Sequence, residues 1–387
     1  MWLDTEEIHR LVARHNTPLY IYDTNSLKKR AQELLALSAP YGLTVRYAMK
    51  ANPYPEVIAI FNRLGLHFDA SSSYEVSELL EQGIKGGRIS LSSQQPAHNL
   101  PELLAANVQY VATSLHQLEC FAEVAKTGSS VGLRVNPGVG SGHNNRNTTG
   151  GPNASFGLWH EYVNEALIYA HKKHITVDRL HVHMGSGADP SIWGAAIEVA
   201  LAICKKMPDV VTLDIGGGYK VRRADGEVET DMQQVLQAFS EKIQLFYKTT
   251  GRQIRLEIEP GTWLVAHAGC LATEIVDIVD TGKDGHVFLR TNTGMNDLMR
   301  PTMYGAIHEM TVLNTSSETQ NYVVVGHNCE TGDILTPAPG KPEMIKPRQL
   351  RKANIGDLLV IHDTGAYGAS FRARGYNAFP EAKEVLI

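Results

Sequence analysis

From about residue 40 the chain alternates between two hydrophobic rhythms. Short runs rich in β-branched and aromatic residues read as strands: TVRYAM (44–49), LHFDA (66–70), RISLS (88–92), VQYVAT (108–113) and VGLRVN (131–136), then RLHVHM (179–184), VVTLDI (210–215) and IRLEIE (254–259). Between them PEVIAIFNRLG, SYEVSELLEQG, NLPELLAAN and MQQVLQAFSEKIQLFYK carry apolar residues at helical spacing. Eight consecutive strand–helix units predict an α/β fold built on a closed, parallel (β/α)8 TIM barrel rather than an open doubly wound sheet.

After residue 260 the rhythm changes. CLATEIVDIVDTG, HVFLRTN, NYVVVGH and DLLVIHD are strand-like, separated by Gly, Asp and Asn turns, with no comparable helix between them. One further strand-like run, PLYIYD (18–23), lies near the N-terminus. The expected organisation is therefore an N-terminal segment (1–35) packing with a mostly β C-terminal domain (262–387), around a barrel formed by residues 36–261. No low-complexity linker separates the parts.

Composition narrows the function without naming it. A chain of 387 residues with 43% hydrophobic and 20% charged residues is globular and long enough for a barrel plus a second domain. Its net charge of −5 argues against a nucleic-acid or anionic-membrane partner. Cys120, Cys204, Cys270 and Cys329 form no C-x-x-C pair, so structural zinc and redox motifs are not expected and reduced thiols in the cytoplasm are. The charged start MWLDTEEIHRLVAR has no signal-peptide h-region, and no run reaches 18 uninterrupted apolar residues.

The chemistry collects where a barrel places its active site, at the carboxyl ends of the strands. Strand one runs into Lys50, strand two into Asp69 and three serines, and strand five carries Arg134 and Asn136. Strand six leads to His183, Ser186 and Gly187, strand seven to Gly216, Gly217 and Gly218, and strand eight to Glu259 and Gly261. Loops after strands seven and eight of such barrels commonly hold a phosphate through backbone N–H groups, and glycine lets the backbone approach its oxygens. A lysine across from a phosphate site suits pyridoxal 5′-phosphate. That cofactor needs an amine for its aldehyde and an acid for its ring nitrogen, and Glu259 is placed to supply the acid. His183 is a candidate for stacking on the ring, against the plainer reading of a hydrogen-bonded core histidine.

These residues resemble the alanine-racemase-like (fold type III) pyridoxal-phosphate decarboxylases, and among them the diaminopimelate decarboxylase family. The resemblance runs through YAMKAN, FDASSSYE, LRVNPG, HVHMGSG, DIGGGY and EIEPG, and then NDLMRPTMYGAIH, CETGD and HDTGAYG. It implies that Lys50 holds the cofactor covalently, that His183 stacks on its ring and that Glu259 pairs with the ring nitrogen. Asp69, Arg134, Gly216 and Gly217 belong to the same cofactor site, and Ser186, Gly218, Gly261 and Tyr367 surround the phosphate. Arg300 and Tyr304 are implied to grip the substrate's distal end, with Tyr367 beside them and Glu330 reading the distal amino group. In the family CETGD reaches the other subunit's site, which makes Cys329 the expected proton donor there and implies a homodimer with shared active sites. The implied reaction is decarboxylation of meso-diaminopimelate to L-lysine and CO2.

Two positions depart from the pattern. The family usually reads EPGR where this chain reads EPGT, with Thr262 for arginine; a lost charge-assisted hydrogen bond of about 1.5–3 kcal/mol would weaken the substrate grip that Arg300 could still provide. Ser155, not the common lysine, precedes Phe156-Gly157, a change expected to touch the subunit interface or loop packing. Three alternatives stand beside the main reading. One is a decarboxylase of lysine, ornithine or a siderophore or antibiotic intermediate. Another is a non-enzymatic carrier of pyridoxal phosphate, which the second domain argues against. The last is a metal-dependent barrel hydrolase using the His181/His183 pair, which strand position and the glycine triplet argue against.

Overall fold

The structure is a computed structural model, and it describes residues 4–140 and 150–387. Strand β1 (Leu19–Tyr22) precedes the barrel strands β2 (Leu43–Ala48), β3 (His67–Ala70), β4 (Ile89–Ser92), β5 (Gln109–Ala112) and β6 (Ser130–Asn136). A two-residue strand β7 (Leu158–Trp159) follows, then β8 (Thr176–His181), β9 (Thr212–Asp214) and β10 (Arg255–Ile258). The order β5-β4-β3-β2-β10-β9-β8-β6 closes through a β5–β6 pairing, and every pair is parallel. This is a closed eight-stranded barrel, with β7 appended to the end of β6.

The strands join through helices whose ends the sequence marks clearly. Ser72, Asp189 and Asp231 cap α4 (Ser73–Glu81), α8 (Pro190–Lys205) and α9 (Met232–Thr250) by accepting hydrogen bonds from backbone N–H groups of the first turn. Gly65 and Gly251 close α3 (Pro55–Leu64) and α9 in the left-handed conformation that glycine adopts without strain.

The second sheet is mostly antiparallel. Its central path runs β13 (Met310–Leu313), β18 (Leu358–Ile361), β11 (Gly269–Asp280), β12 (Val287–Thr291), β14 (Thr319–Val325) and β17 (Arg348–Arg351). Strand β1 joins it against β11, with β19 (Lys383–Leu386) on its other side, so both ends of the chain enter this sheet. A separate short hairpin pairs β15 (Pro337–Ala338) with β16 (Lys341–Ile345).

The N-terminal segment divides between the two bodies. Helix α1 (Thr5–His15) and β1 pack with the β sheet, sharing a small cluster with Cys270, Leu358 and Val360. Helix α2 (Thr24–Leu35) turns the other way: Leu27, Ala31 and Leu34 are buried in the barrel's core. The stretch just after the last barrel strand behaves similarly. Residues 262–265 form a helical turn, α10, whose Trp263, Leu264 and Val265 are buried in that same core. Periodicity shows that such helices bury one face, and only the closed fold shows against what. Among the described residues, no helix is long and apolar enough to cross a membrane.

Polar residues run down the inside of the barrel. Arg46 on β2, Arg179 on β8 and Glu257 on β10 are all buried, with Gln109 of β5 at the same level. Arg46 donates from Nε and Nη2 to Glu257 at 2.8 and 3.0 Å, Arg179 donates from Nη2 at 3.2 Å, and both arginines also reach Gln109 Oε1. A carboxylate chelated by two arginines is satisfied in a place where an unpaired charge would be costly. This network ties four strands together beneath the mouth where the candidate residues emerge.

Candidate active site

Lys50 sits in the turn Met49–Ala51 that ends β2, with a half-exposed side chain at the barrel mouth. Its Nζ lies 3.4 Å from Asp69 Oδ2 and donates to Ser71 Oγ at 3.0 Å. Asp69 is the penultimate residue of the neighbouring strand β3, where Ala48 pairs with it, so adjacency in the sheet puts acid and amine together. Burial opposes the ammonium charge, but Asp69, with Tyr367, Glu259 and Glu75 behind it, outweighs burial and raises the lysine's pKa.

Across the mouth, Glu259 follows β10. It is 6% exposed, its Oε1 has no hydrogen-bond partner among the described residues, and its Oε2 lies 3.5 Å from His181 Nε2. Burial, together with Asp214 and Asp69, drives its carboxyl well above the usual carboxylate range. His181, Asp214 and Glu259 form the tight buried cluster here, with ligand atoms within 4.8 Å of one another. The H-x-H pair is thus split: His181 belongs to this acidic cluster, while His183 lies one step further out. Burial, then the charges of Arg134 and Lys50, hold His183 down to about 3, so its imidazole is neutral. Arg134, on β6, lies over the Phe156 ring at 5.0 Å.

The glycine triplet is demanded by the loops around it. Gly218 has φ +100°, and a Cβ there would meet the carbonyl oxygen of Gly185 at 2.0 Å; a Cβ on Gly217 would meet that of Glu259 at 2.3 Å. The backbone of Gly216 lies so close to the His183 ring that a Cβ would come within 2.5 Å of Nδ1. Gly187 donates to the Gly218 carbonyl at 3.2 Å and Glu259 donates to that of Gly216 at 2.9 Å, which stitches the loops after β8, β9 and β10 together. Ser186 stands in the first of these loops, and Gly261 in the third, tight against Ala48 and Ala51.

The β domain completes the mouth. Its loop HDTGAYG follows β18 and enters the barrel core at Ala366. Tyr367, held at φ +54°, donates its backbone N–H to Ala51 at 2.8 Å, and Asn52 Nδ2 donates to Gly365 at 3.0 Å. The loop is therefore docked on the very turn that carries Lys50. Arg300 begins the short helix α11 (Arg300–Tyr304); its Nε has no partner among the described residues, and burial lowers its pKa. Tyr304 stacks on Phe371, ring centroids 5.9 Å apart.

Cys329 and Glu330 are placed differently. Both are exposed; Cys329 donates its backbone N–H to Asn377 Oδ1 at 2.8 Å, and the Tyr376 hydroxyl donates to Glu330 Oε2 at 3.4 Å. Their loop is anchored by buried Asp333, which accepts from Met295 and Asn328, and it rests on the outside of α11 through a Thr302–Gly332 hydrogen bond. Among the described residues, no hydrogen bond joins these two side chains to Lys50, Glu259 or Arg300.

Comparison with known proteins fits this geometry. The pyridoxal binding domain of the pyridoxal-dependent decarboxylases matches residues 24–266, starting with α2 and ending in the turn after β10. The chain belongs to that decarboxylase family. It is a carboxy-lyase that uses pyridoxal phosphate. The decarboxylase family member from Streptomyces coelicolor described as diaminopimelate decarboxylase is 31% identical over 399 residues, covering 100% of this chain and 88% of the relative. That of Buchnera aphidicola subsp. Baizongia pistaciae is 32% identical, covering 98% and 91%. A crystal structure of a diaminopimelate decarboxylase superposes with a TM-score of 0.91 at 30% identity, covering 100% of this chain and 92% of that one.

The residues at the mouth fit the cofactor of the family. A half-exposed lysine amine faces a buried acid whose free oxygen lacks a partner, and three glycine-bearing loops converge beside them. Sequence reading noted the serines after Asp69 but gave no role to Ser71, which holds the lysine, and it missed Glu75, whose carboxylate takes the Ser71 N–H. It also missed Asp214, which ends a strand and could have been found by the rule that picked Asp69.

Proposed function

We propose that the protein decarboxylates meso-diaminopimelate to L-lysine and CO2, as a cytoplasmic homodimer whose two active sites are shared between subunits. Lys50 would hold the cofactor, Glu259 its ring nitrogen and His183 its ring face, with Asp69 and Arg134 beside them. Ser186, Gly216, Gly217, Gly218, Gly261 and Tyr367 would surround its phosphate. Pyridoxal phosphate supplies an aldehyde that captures amines and a ring that accepts the electrons left when the Cα–carboxylate bond breaks.

The chain's own residues prepare that chemistry. Asp69 and Ser71 fix the position of the Lys50 nitrogen while leaving its outer face open. The raised pKa of Glu259 keeps a proton available at Oε1, next to a neutral histidine cluster that does not compete for it. A neutral His183 places no positive charge against a cationic ring. Arg300 and Tyr304 would hold the distal carboxylate, away from the one that leaves. Cys329, supplied with Glu330 from the partner subunit, would return a proton to Cα, and its exposure suits a thiol that functions outside its own subunit.

The substrate reading rests chiefly on half-buried Arg300, whose buried Nε lacks an acceptor among the described residues, on the seam between barrel and β domain. Following CO2 release from meso-diaminopimelate, L-lysine and L-ornithine by the loaded enzyme tests it. Release from the dicarboxylic substrate alone is expected. Release from lysine or ornithine with none from diaminopimelate would replace this reading with a monocarboxylic substrate, the choice that Thr262 raises.

A further inference from the structure

Three buried nitrogens on the seam lack hydrogen-bond partners among the described residues: Nη2 of Arg223, Nε of Arg300 and Nε2 of His308. Arg223 follows the glycine triplet, in GYKVRRADG, where it reads as part of a solvated charge run. Its neighbour Arg222 does behave that way, exposed and paired with Asp225. Arg223 is instead only 8% exposed. Its backbone N–H donates to Glu227 Oε2 at 2.8 Å, and its Nε donates to the Asp363 carbonyl at 3.3 Å. Asp363 opens the loop that continues to Tyr367 and docks beside Lys50. Arg223 is therefore fixed to the same loop that completes the active-site mouth.

Arg223, buried, and Arg300, half-buried with a buried Nε, lie close enough to repel each other, and two such guanidiniums call for an anion. Burial and the repulsion of Arg300 push Arg223 down to about 9, and burial with both arginines keeps His308 neutral. The carboxylates close by are engaged elsewhere: Glu227 with the Arg223 backbone, and Asp363 with His267 Nδ1 at 2.7 Å. Among the described residues no acid of the chain pairs with either guanidinium.

We propose that Arg223 and Arg300 together form an anion subsite that grips the substrate carboxylate remote from the reacting carbon, with His308 Nε2 as a further hydrogen-bonding group. Arg223 thereby provides, from the loop after β9, the second cation that the short Thr262 side chain lacks. This rests on the dicarboxylic substrate proposed above. The other anion available to such a subsite is the cofactor's phosphate. The carboxylate is favoured because Arg300 and His308 come from the β-domain stretch RPTMYGAIH rather than from the glycine-bearing loops.

The test uses the loaded enzyme with Arg223→Gln and Arg223→Lys. It reads KM and kcat for meso-diaminopimelate, inhibition constants for pimelate (two carboxylates, no amine) and cadaverine (two amines, no carboxylate), and the dissociation constant of pyridoxal phosphate. Arg223→Gln is expected to raise both the KM and the pimelate constant about ten- to a hundredfold, the loss of one charge-assisted bond. The lysine variant should recover part of that loss, and the cadaverine constant should stay within twofold, which also reports an intact fold. Unchanged pimelate inhibition in the glutamine variant overturns the proposal. So does weakened cofactor binding with pimelate unaffected, which would assign Arg223 to the phosphate. If the wild type binds pimelate but does not decarboxylate diaminopimelate, the substrate reading fails while the pimelate comparison still decides the role of Arg223.

Discussion

Glu257 offers the sharpest test of how the barrel supports its mouth. Its carboxylate is buried between Arg46 and Arg179, accepting four of their N–H groups, and Gln109 is the other acceptor the two arginines share. Glu257→Gln preserves volume and one acceptor oxygen but leaves two buried cations without a counter-charge. Breaking a buried pair in this way costs about 3–5 kcal/mol. At about 2–4 °C per kcal/mol for domains of this size, that corresponds to a fall in Tm of roughly 6–20 °C. Thermal melts followed by circular dichroism at one fixed scan rate give the answer. A companion triple variant, Arg46→Met, Glu257→Leu and Arg179→Met, removes all three charges and is expected to melt closer to the wild type than Glu257→Gln does. A Glu257→Gln melt within about 2 °C of wild type would refute the argument that this charge holds the strands in register.

Three other outcomes are expected. Glu259→Gln should retain cofactor but lose kcat by on the order of 10²–10³-fold, as removal of one preorganised electrostatic group does, measured by CO2 release. His267, held by Asp363 and Glu229, is raised to about 9 although burial opposes the charge, so its ion pairs stabilise the fold fully below about pH 6.5 and progressively less as pH rises through 9. The Tm difference between wild type and His267→Gln should follow that course, and a difference that grows with pH would contradict it. Mixing inactive Lys50→Ala with inactive Cys329→Ala subunits should restore about a quarter of wild-type activity if sites are shared across a two-fold dimer, and none if each chain is self-sufficient.

The barrel was legible because its strands are short apolar runs bounded by recognisable turns, and several lead at their carboxyl ends to residues the fold gathers at the mouth: Lys50, Asp69, His183 and Glu259. Less legible was where amphipathic pieces pack. Helix α2 has the periodicity of any surface helix, and nothing local says that Leu27 and Ala31 face the barrel while α1 faces the β sheet. The glycine triplet was found for a plausible but incomplete reason. A phosphate needs backbone access, yet the close approach of the Gly185 and Glu259 carbonyls would exclude side chains there in any case. Arg223 was invisible because burial of a charge is a property of the closed fold; its neighbour Arg222 has the same local sequence context and remains in solvent.

The whole account turns on the nitrogen of Lys50. The most direct measurement is to load the purified protein with pyridoxal phosphate, reduce it with borohydride, digest it and locate the pyridoxyl group by mass spectrometry. The label is expected on the peptide containing YAMKAN, at Lys50, with Lys50→Ala taking up none at the active site and releasing no CO2. A label confined to any other lysine, or a Lys50→Ala protein that still decarboxylates, would contradict it.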